Sequence, residues 1–172
     1  MKYHIEERDA IRFVGKKFYI PAQSTDLVDG VGAGTVPELW ENFPKEQFDQ
    51  LDALSDCIPE SVVGVFGEKH WDGEKYLGFE YWIAAATTKE CPEGFEVVED
   101  PPAKWLVFDA EGPLPGAIQN IFGELYMSFF PNSKKYGRRW EVYEIESFTK
   151  GDTSSDSYIS HAWVPIVEKE DE

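Results

Sequence analysis

Cysteine is scarce in this chain of 172 residues. Only Cys57 and Cys91 occur, far apart and outside any CxxC pair. A disulfide framework is thereby excluded, and two free thiols of a reducing, cytosolic kind are predicted. Long apolar runs are also missing. No stretch of 18 apolar residues is present to cross a membrane, and the start, MKYHIEERDA, lacks the apolar centre of a secretory signal. A soluble cytoplasmic protein with no membrane partner is expected. Positive charge is in the minority: 16 Lys and Arg stand against 33 Asp and Glu, for a net charge of −17. Direct nucleic-acid binding needs a basic patch, and only KKYGRR (134 to 139) approaches one. Despite neighbouring Tyr136 and Trp140, that cluster reads as a solvated turn. The three histidines, His4, His70 and His161, are scattered, so no metal site is expected. There is no GxSxG elbow for a nucleophilic triad. GVGAG (30 to 34) lacks the last glycine of GxGxxG and any P-loop lysine, so it reads as a flexible loop, and no cofactor is expected.

What the chain does have is apolar and aromatic content, 42% and 15%, enough to fold despite its charge. Its length fits one domain, 1 to 172. AIRFVGKKFYI (10 to 20) reads as a strand and TDLVDGVGAG as a loop. TVPE opens a helix, with Thr35 as N-cap, Pro37 in the first turn and Glu38 completing a capping box. Val36, Leu39, Trp40 and Phe43 follow at helical spacing; Pro44 breaks the helix and KEQFDQLDAL resumes it. SVVGVFGEKH and KYLGFEYWIAAAT are strands around an Asp72-Gly73 hairpin turn. The second half repeats the scheme. AKWLVFDAE (103 to 111) is a strand, and GPLPGAIQNIFGELYMSFF is a helix striped by Leu114, Ile118, Ile121, Leu125 and Phe129. RWEVYEIE and SYISHAWVPIVE are strands joined by a polar loop. No linker divides the halves, so two pseudo-repeats, about 1 to 90 and 91 to 168, with an acidic tail at 168 to 172, are expected in one domain.

In SYISHAWVPI (157 to 166), Tyr158, Ser160, Ala162, Val164 and Ile166 point one way, suited to packing on a helix. Ile159, His161, Trp163 and Pro165 point the other. FEYWIAA (79 to 85) aligns with SHAWVPI (160 to 166), setting Trp82 against Trp163 and Glu80 against His161. Each half then presents an ionisable group beside a tryptophan on the face away from the aliphatic core. A ligand cleft lined by both halves is expected.

Several runs together resemble the GyrI-like (gyrase-inhibitor-like) effector-binding family, which includes the ligand-sensing domains of multidrug-responsive and AraC-type regulators. They are VPELWENF, GVFG with FEYWIAA, PPAKWLVFDAEGPLPGAIQNIFGELY, WEVYE, GDTSSDSYIS and AWVPI, covering nearly the whole chain. The resemblance implies an α+β fold. It consists of a pseudo-two-fold tandem of strand-helix-strand-strand modules, an antiparallel sheet with helices on one side, and a central ligand cleft. Many relatives carry a glutamate in the last strand where this chain has His161. That fixed negative charge is lost here unless Glu80 supplies it.

The expected function is that of a stand-alone binding domain for a small aromatic or amphipathic molecule, cations included. Glu80, Trp82, His161 and Trp163 are the candidate ligand-binding residues. Phe66 and Trp105 are candidates for core or pocket wall, and Glu141 and Tyr143, read as sharing a strand face, for the cleft rim. Two alternatives stay open. One is hydrolysis of electrophilic, cyclopropane-type toxins, with Glu80 and His161 as candidate catalytic groups. The other is a protein partner met through the acidic surface, in the manner of a gyrase inhibitor.

Overall fold

Proline and the Asp-Gly turn punctuate the first half of the chain as its periodicity predicts. The computed structural model describes residues 1 to 22 and 35 to 169. The GVGAG stretch, the end of the acidic tail and the capping side chain of Thr35 lie outside what it describes. Two compact units form, one from residues 12 to 98 and the other from residues 1 to 11 with 99 onward.

In the first unit, β2 (Ile11–Pro21) leads to α1 (Thr35–Asn42) and α2 (Lys45–Leu54). Pro44 separates the helices and forms the extended N-cap of α2. The hairpin of β3 (Val62–Asp72) and β4 (Lys75–Ala86) follows, with Gly73 at positive φ (61°) in its turn, as an Asp-Gly hairpin requires. β4 is central, antiparallel to β2 through pairs such as Lys17 with Trp82, and to β3 through pairs such as Val65 with Trp82. One sheet face packs on the helices: Val14, Ile20, Val62, Phe79, Tyr81, Ile83 and Ala85 cluster with Leu51 and, around them, Leu39, Trp40, Phe43 and Phe48. The indole N–H of Trp40 donates to the hydroxyl of Tyr81 at 2.7 Å, which ties α1 to the sheet. Tyr81→Phe leaves that N–H without this acceptor. It should cost about 1–2 kcal/mol by urea denaturation, and unchanged stability would show that the bond does not hold α1.

The second unit builds the same module. It runs β6 (Ala103–Glu111), α3 (Gly116–Glu124), β8 (Glu144–Phe148) and β9 (Ile159–Glu168), with β9 between β6 and β8. Ala162, Val164 and Ile166 face the helix, joined by Leu106, Phe108 and Leu125. This is the alternation read in SYISHAWVPI. The fold is therefore α+β, each unit a strand-helix-strand-strand module with helices against one face of an antiparallel sheet. β5 (Glu96–Asp100) carries the chain from one unit to the other.

Several details differ from the sequence reading. Residues Tyr3–Arg8 form an edge strand, β1, against β6, because their alternation matches the rung pattern of a partner a hundred residues away. The helix read from residue 112 starts only at Gly116, after Pro113 and Pro115, and passes through a π-helical turn, Leu125–Phe129, into α4 (Phe130–Asn132). KKYGRR is not a solvated turn. It contains β7 (Tyr136–Arg138), in which Tyr136 is buried and Arg138 is paired with Glu144. RWEVYEIE is not one strand either, since Arg139 to Tyr143 turn before β8 begins. There the Arg138 guanidinium donates to the carbonyls of Arg139 and Val142, and Asp100 accepts from the Tyr143 N–H at 2.7 Å. Those backbone groups are satisfied by side chains, leaving fewer for a strand ladder.

Candidate ligand-binding site

On β4, Glu80 and Trp82 share the face opposite the helices. Trp82 is 5% exposed, and the Glu80 side chain 17%. Flanking strands bring two more groups to them. Lys17 of β2, across from Trp82, holds its Nζ 5.9 Å from the centre of the indole and 3.6 Å from Oε1 of Glu80. His70 of β3 sets Nε2 2.8 Å from Oε2 of Glu80. The Tyr19 ring stands edge-on to that imidazole, 5.4 Å between centres.

A β-bulge makes this convergence possible. Phe66 pairs with Tyr81 and Lys69 with Phe79, so Gly67 and Glu68 both stand opposite Glu80. Gly67 is needed for close approach: a Cβ there would lie 3.1 Å from the carbonyl oxygen of Glu80 and 3.2 Å from Nε1 of Trp82. An ammonium held between a carboxylate and an indole face is the arrangement that recognises an organic cation. In this structure the ammonium belongs to Lys17.

On β9, His161 and Trp163 likewise face away from the helices. Trp163 is 5% exposed; its indole N–H donates to Oγ of Ser147 at 3.0 Å, and Trp105 packs edge-on against it, 6.0 Å between centres. Nδ1 of His161 lies 3.1 Å from Oδ1 of Asp109, its cross-strand neighbour. The contact is of ion-pair length but lacks hydrogen-bond alignment, and this buried nitrogen has no hydrogen-bond partner. Val107 stands opposite Trp163 where Lys17 stands opposite Trp82, so the two aromatic faces are chemically unequal.

The sequence profile of the integron-associated effector binding protein family, Cass2, matches residues 4 to 166. The chain belongs to this family. Its members are effector-binding proteins, so the chain is a small-molecule-binding protein, in agreement with the GyrI-like resemblance. Among solved structures, SAV2435 bound to tetraphenylphosphonium is similar at a TM-score of 0.75 and 18% identity, over 97% of this chain and 94% of that one. An integron cassette protein from the mobile metagenome of Vibrio cholerae is similar at a TM-score of 0.58 and 14% identity, covering 96% of this chain and 95% of that one. These identities speak for the fold alone. A curated relative, the A-type ATP synthase subunit I of Methanocaldococcus jannaschii, is 27% identical over 161 residues. The match covers 81% of this chain but only 22% of that protein's length.

The structure separates the remaining candidate residues. Phe66 packs in the helix-side cluster against Tyr81 and Phe79, on the sheet face opposite Trp82. Trp105 is fully buried beside Trp163, its indole N–H without a hydrogen-bond partner. Glu141 is exposed on the turn before β8, where the Arg139 guanidinium pairs with it at 2.6 Å and holds its carboxyl below the usual range. Tyr143 is fixed by its backbone to Asp100 and shares no strand face with Glu141. Lys17, His70 and Asp109 meet these residues without any site motif in the sequence to mark them. For Lys17 the readable signal was its place on a strand pairing with FEYWIAA; for His70 there was none, since a bulge decides its direction.

Proposed function

We propose that the chain binds an aromatic, hydrophobic monocation at the β4 face carrying Glu80 and Trp82. The observation that carries this reading is the Lys17 ammonium already lying against both the Glu80 carboxylate and the Trp82 indole. A site that accommodates one cation in that position has the charge and aromatic surface for another. Family membership and the net charge of −17, which raises the local concentration of cations, support the same reading. So does SAV2435, whose ligand, tetraphenylphosphonium, is of this chemical class.

Lys17 is then a built-in competitor. An entering cation displaces the ammonium, whose flexible stem lets it swing to solvent at little packing cost. The test uses two ions of one shape and opposite charge. Isothermal titration should show saturable binding of tetraphenylphosphonium, and tetraphenylborate should bind at least about tenfold more weakly, a difference of about 1.4 kcal/mol. Equal affinity for the two ions, or none for the phosphonium, would refute a charge-reading site.

A further inference from the structure

We propose that Glu68, His70 and Glu80 form a binding site for a divalent transition-metal ion of the zinc class. One oxygen from each carboxylate and one ring nitrogen of His70 lie within 4.8 Å of one another. The three come from two strands, and the β3 bulge turns Glu68 to the side of His70 and Glu80. One imidazole with two carboxylates is a donor set for Zn²⁺, Co²⁺ or Mn²⁺, and three protein ligands leave positions for water or another donor.

The spacing suits the ion. Metal–ligand bonds of about 2.0–2.2 Å in a tetrahedron put neighbouring ligand atoms about 3.4 Å apart. His70 Nε2 and Glu80 Oε2 are 2.8 Å apart, and one ligand atom from each of the three residues lies within 4.8 Å of the others, a spread that small side-chain movements bring to that value. Glu68 is exposed, so its carboxylate closes the remaining gap by side-chain rotation alone. The Tyr19 ring stands edge-on beside His70, whose Nε2 faces Glu80. An ion at Nε2 takes that nitrogen's lone pair, so the bound form is the imidazole with its single proton on Nδ1. Lys17, 3.6 Å from Glu80, opposes the ion by like charge.

This site is read from metal coordination and does not depend on organic-cation binding, though the two share Glu80. Cobalt(II) titration of the full chain, followed by visible absorption and calorimetry, tests it directly. The expected result is one Co²⁺ per chain with ligand-field bands and no thiolate charge-transfer band, which excludes Cys57 and Cys91 as ligands. His70→Ala and Glu68→Gln should each weaken binding by at least about tenfold, the loss seen even when a metal ligand's outer partner is removed. Lys17→Met should strengthen it, and His4→Ala should leave it unchanged. Glu68 is exposed, so Glu68→Gln reports on the site without disturbing the fold. Absence of one-to-one binding at millimolar Co²⁺, a thiolate band, or affinity unmoved by both His70→Ala and Glu68→Gln would overturn the proposal.

Discussion

Glu80→Gln should weaken binding of an aromatic monocation ten- to a hundredfold, while Lys17→Met strengthens it. An opposite charge at about 4 Å is worth about 4 kcal/mol at an effective dielectric of about 20. Part of this is offset, because the ligand must first separate Glu80 from Lys17, now 3.6 Å away, and share it with His70 at 2.8 Å. About 1.4–2.7 kcal/mol remains, which corresponds to the stated loss of affinity. Glutamine keeps the shape of the side chain and removes only the charge, so the fold is retained and circular dichroism should be unchanged. Lys17→Met keeps an apolar stem beside Trp82 and deletes the competing ammonium, for a gain of several-fold. The two effects are coupled through one carboxylate, so Lys17→Met should gain less in the Glu80→Gln background. Calorimetric titration of the four proteins measures the cycle. Affinity within twofold of wild type for Glu80→Gln, or a loss on Lys17→Met, would remove the carboxylate-centred site.

The second large effect concerns stability. Asp100 is 1% exposed; its Oδ1 accepts from the Tyr143 N–H at 2.7 Å, and its Oδ2 is buried without a hydrogen-bond partner. Burial raises its pKa to about 7, against the Tyr143 hydrogen bond and the charges of Arg138 and Arg139, which lower it. The folded value lies above the unfolded one, about 3.9. The folded protein therefore holds a proton that the unfolded chain releases between these pH values. The stabilisation is complete below about pH 4 and is lost as pH rises through 7. From pH 5 to pH 8 this group removes about 3 kcal/mol, or roughly 6–12 °C in melting temperature at this chain length. Asp100→Asn keeps the acceptor for Tyr143 and cannot ionise, so it should lack this decline and melt above wild type at pH 8. The three histidines are common to both proteins and cancel in the difference. A wild-type-minus-variant melting difference that stays flat between pH 5 and 8 would show that Asp100 does not ionise in the folded state.

Much of this architecture is legible in the order of residues. Pro44 and the Asp72-Gly73 turn act through local backbone geometry, so the element boundaries beside them follow from their neighbours. The period of two in FEYWIAA and SHAWVPI separates the helix-facing residues from Glu80, Trp82, His161 and Trp163, and the structure keeps that division. WEVYE was misleading for a reason of the same kind in reverse. Its alternation is strand-like, but Arg138 and Asp100 bind its backbone groups from outside the segment.

The sequence by itself determined the module, its repetition, the helix-facing stripes and the pairing of a tryptophan with an ionisable residue in each central strand. These depend on residues two to four positions apart, where chain geometry leaves few choices. Only the tertiary structure decided what meets those residues. Lys17 reaches Trp82 and Glu80 across β2 and β4, Asp109 reaches His161 across β6 and β9, and a bulge at Gly67 and Glu68 turns His70 toward Glu80. The first two contacts are fixed by register between segments about 50 to 65 residues apart, set by packing of the whole sheet. The third is fixed by an irregularity inside one hairpin that local spacing does not announce.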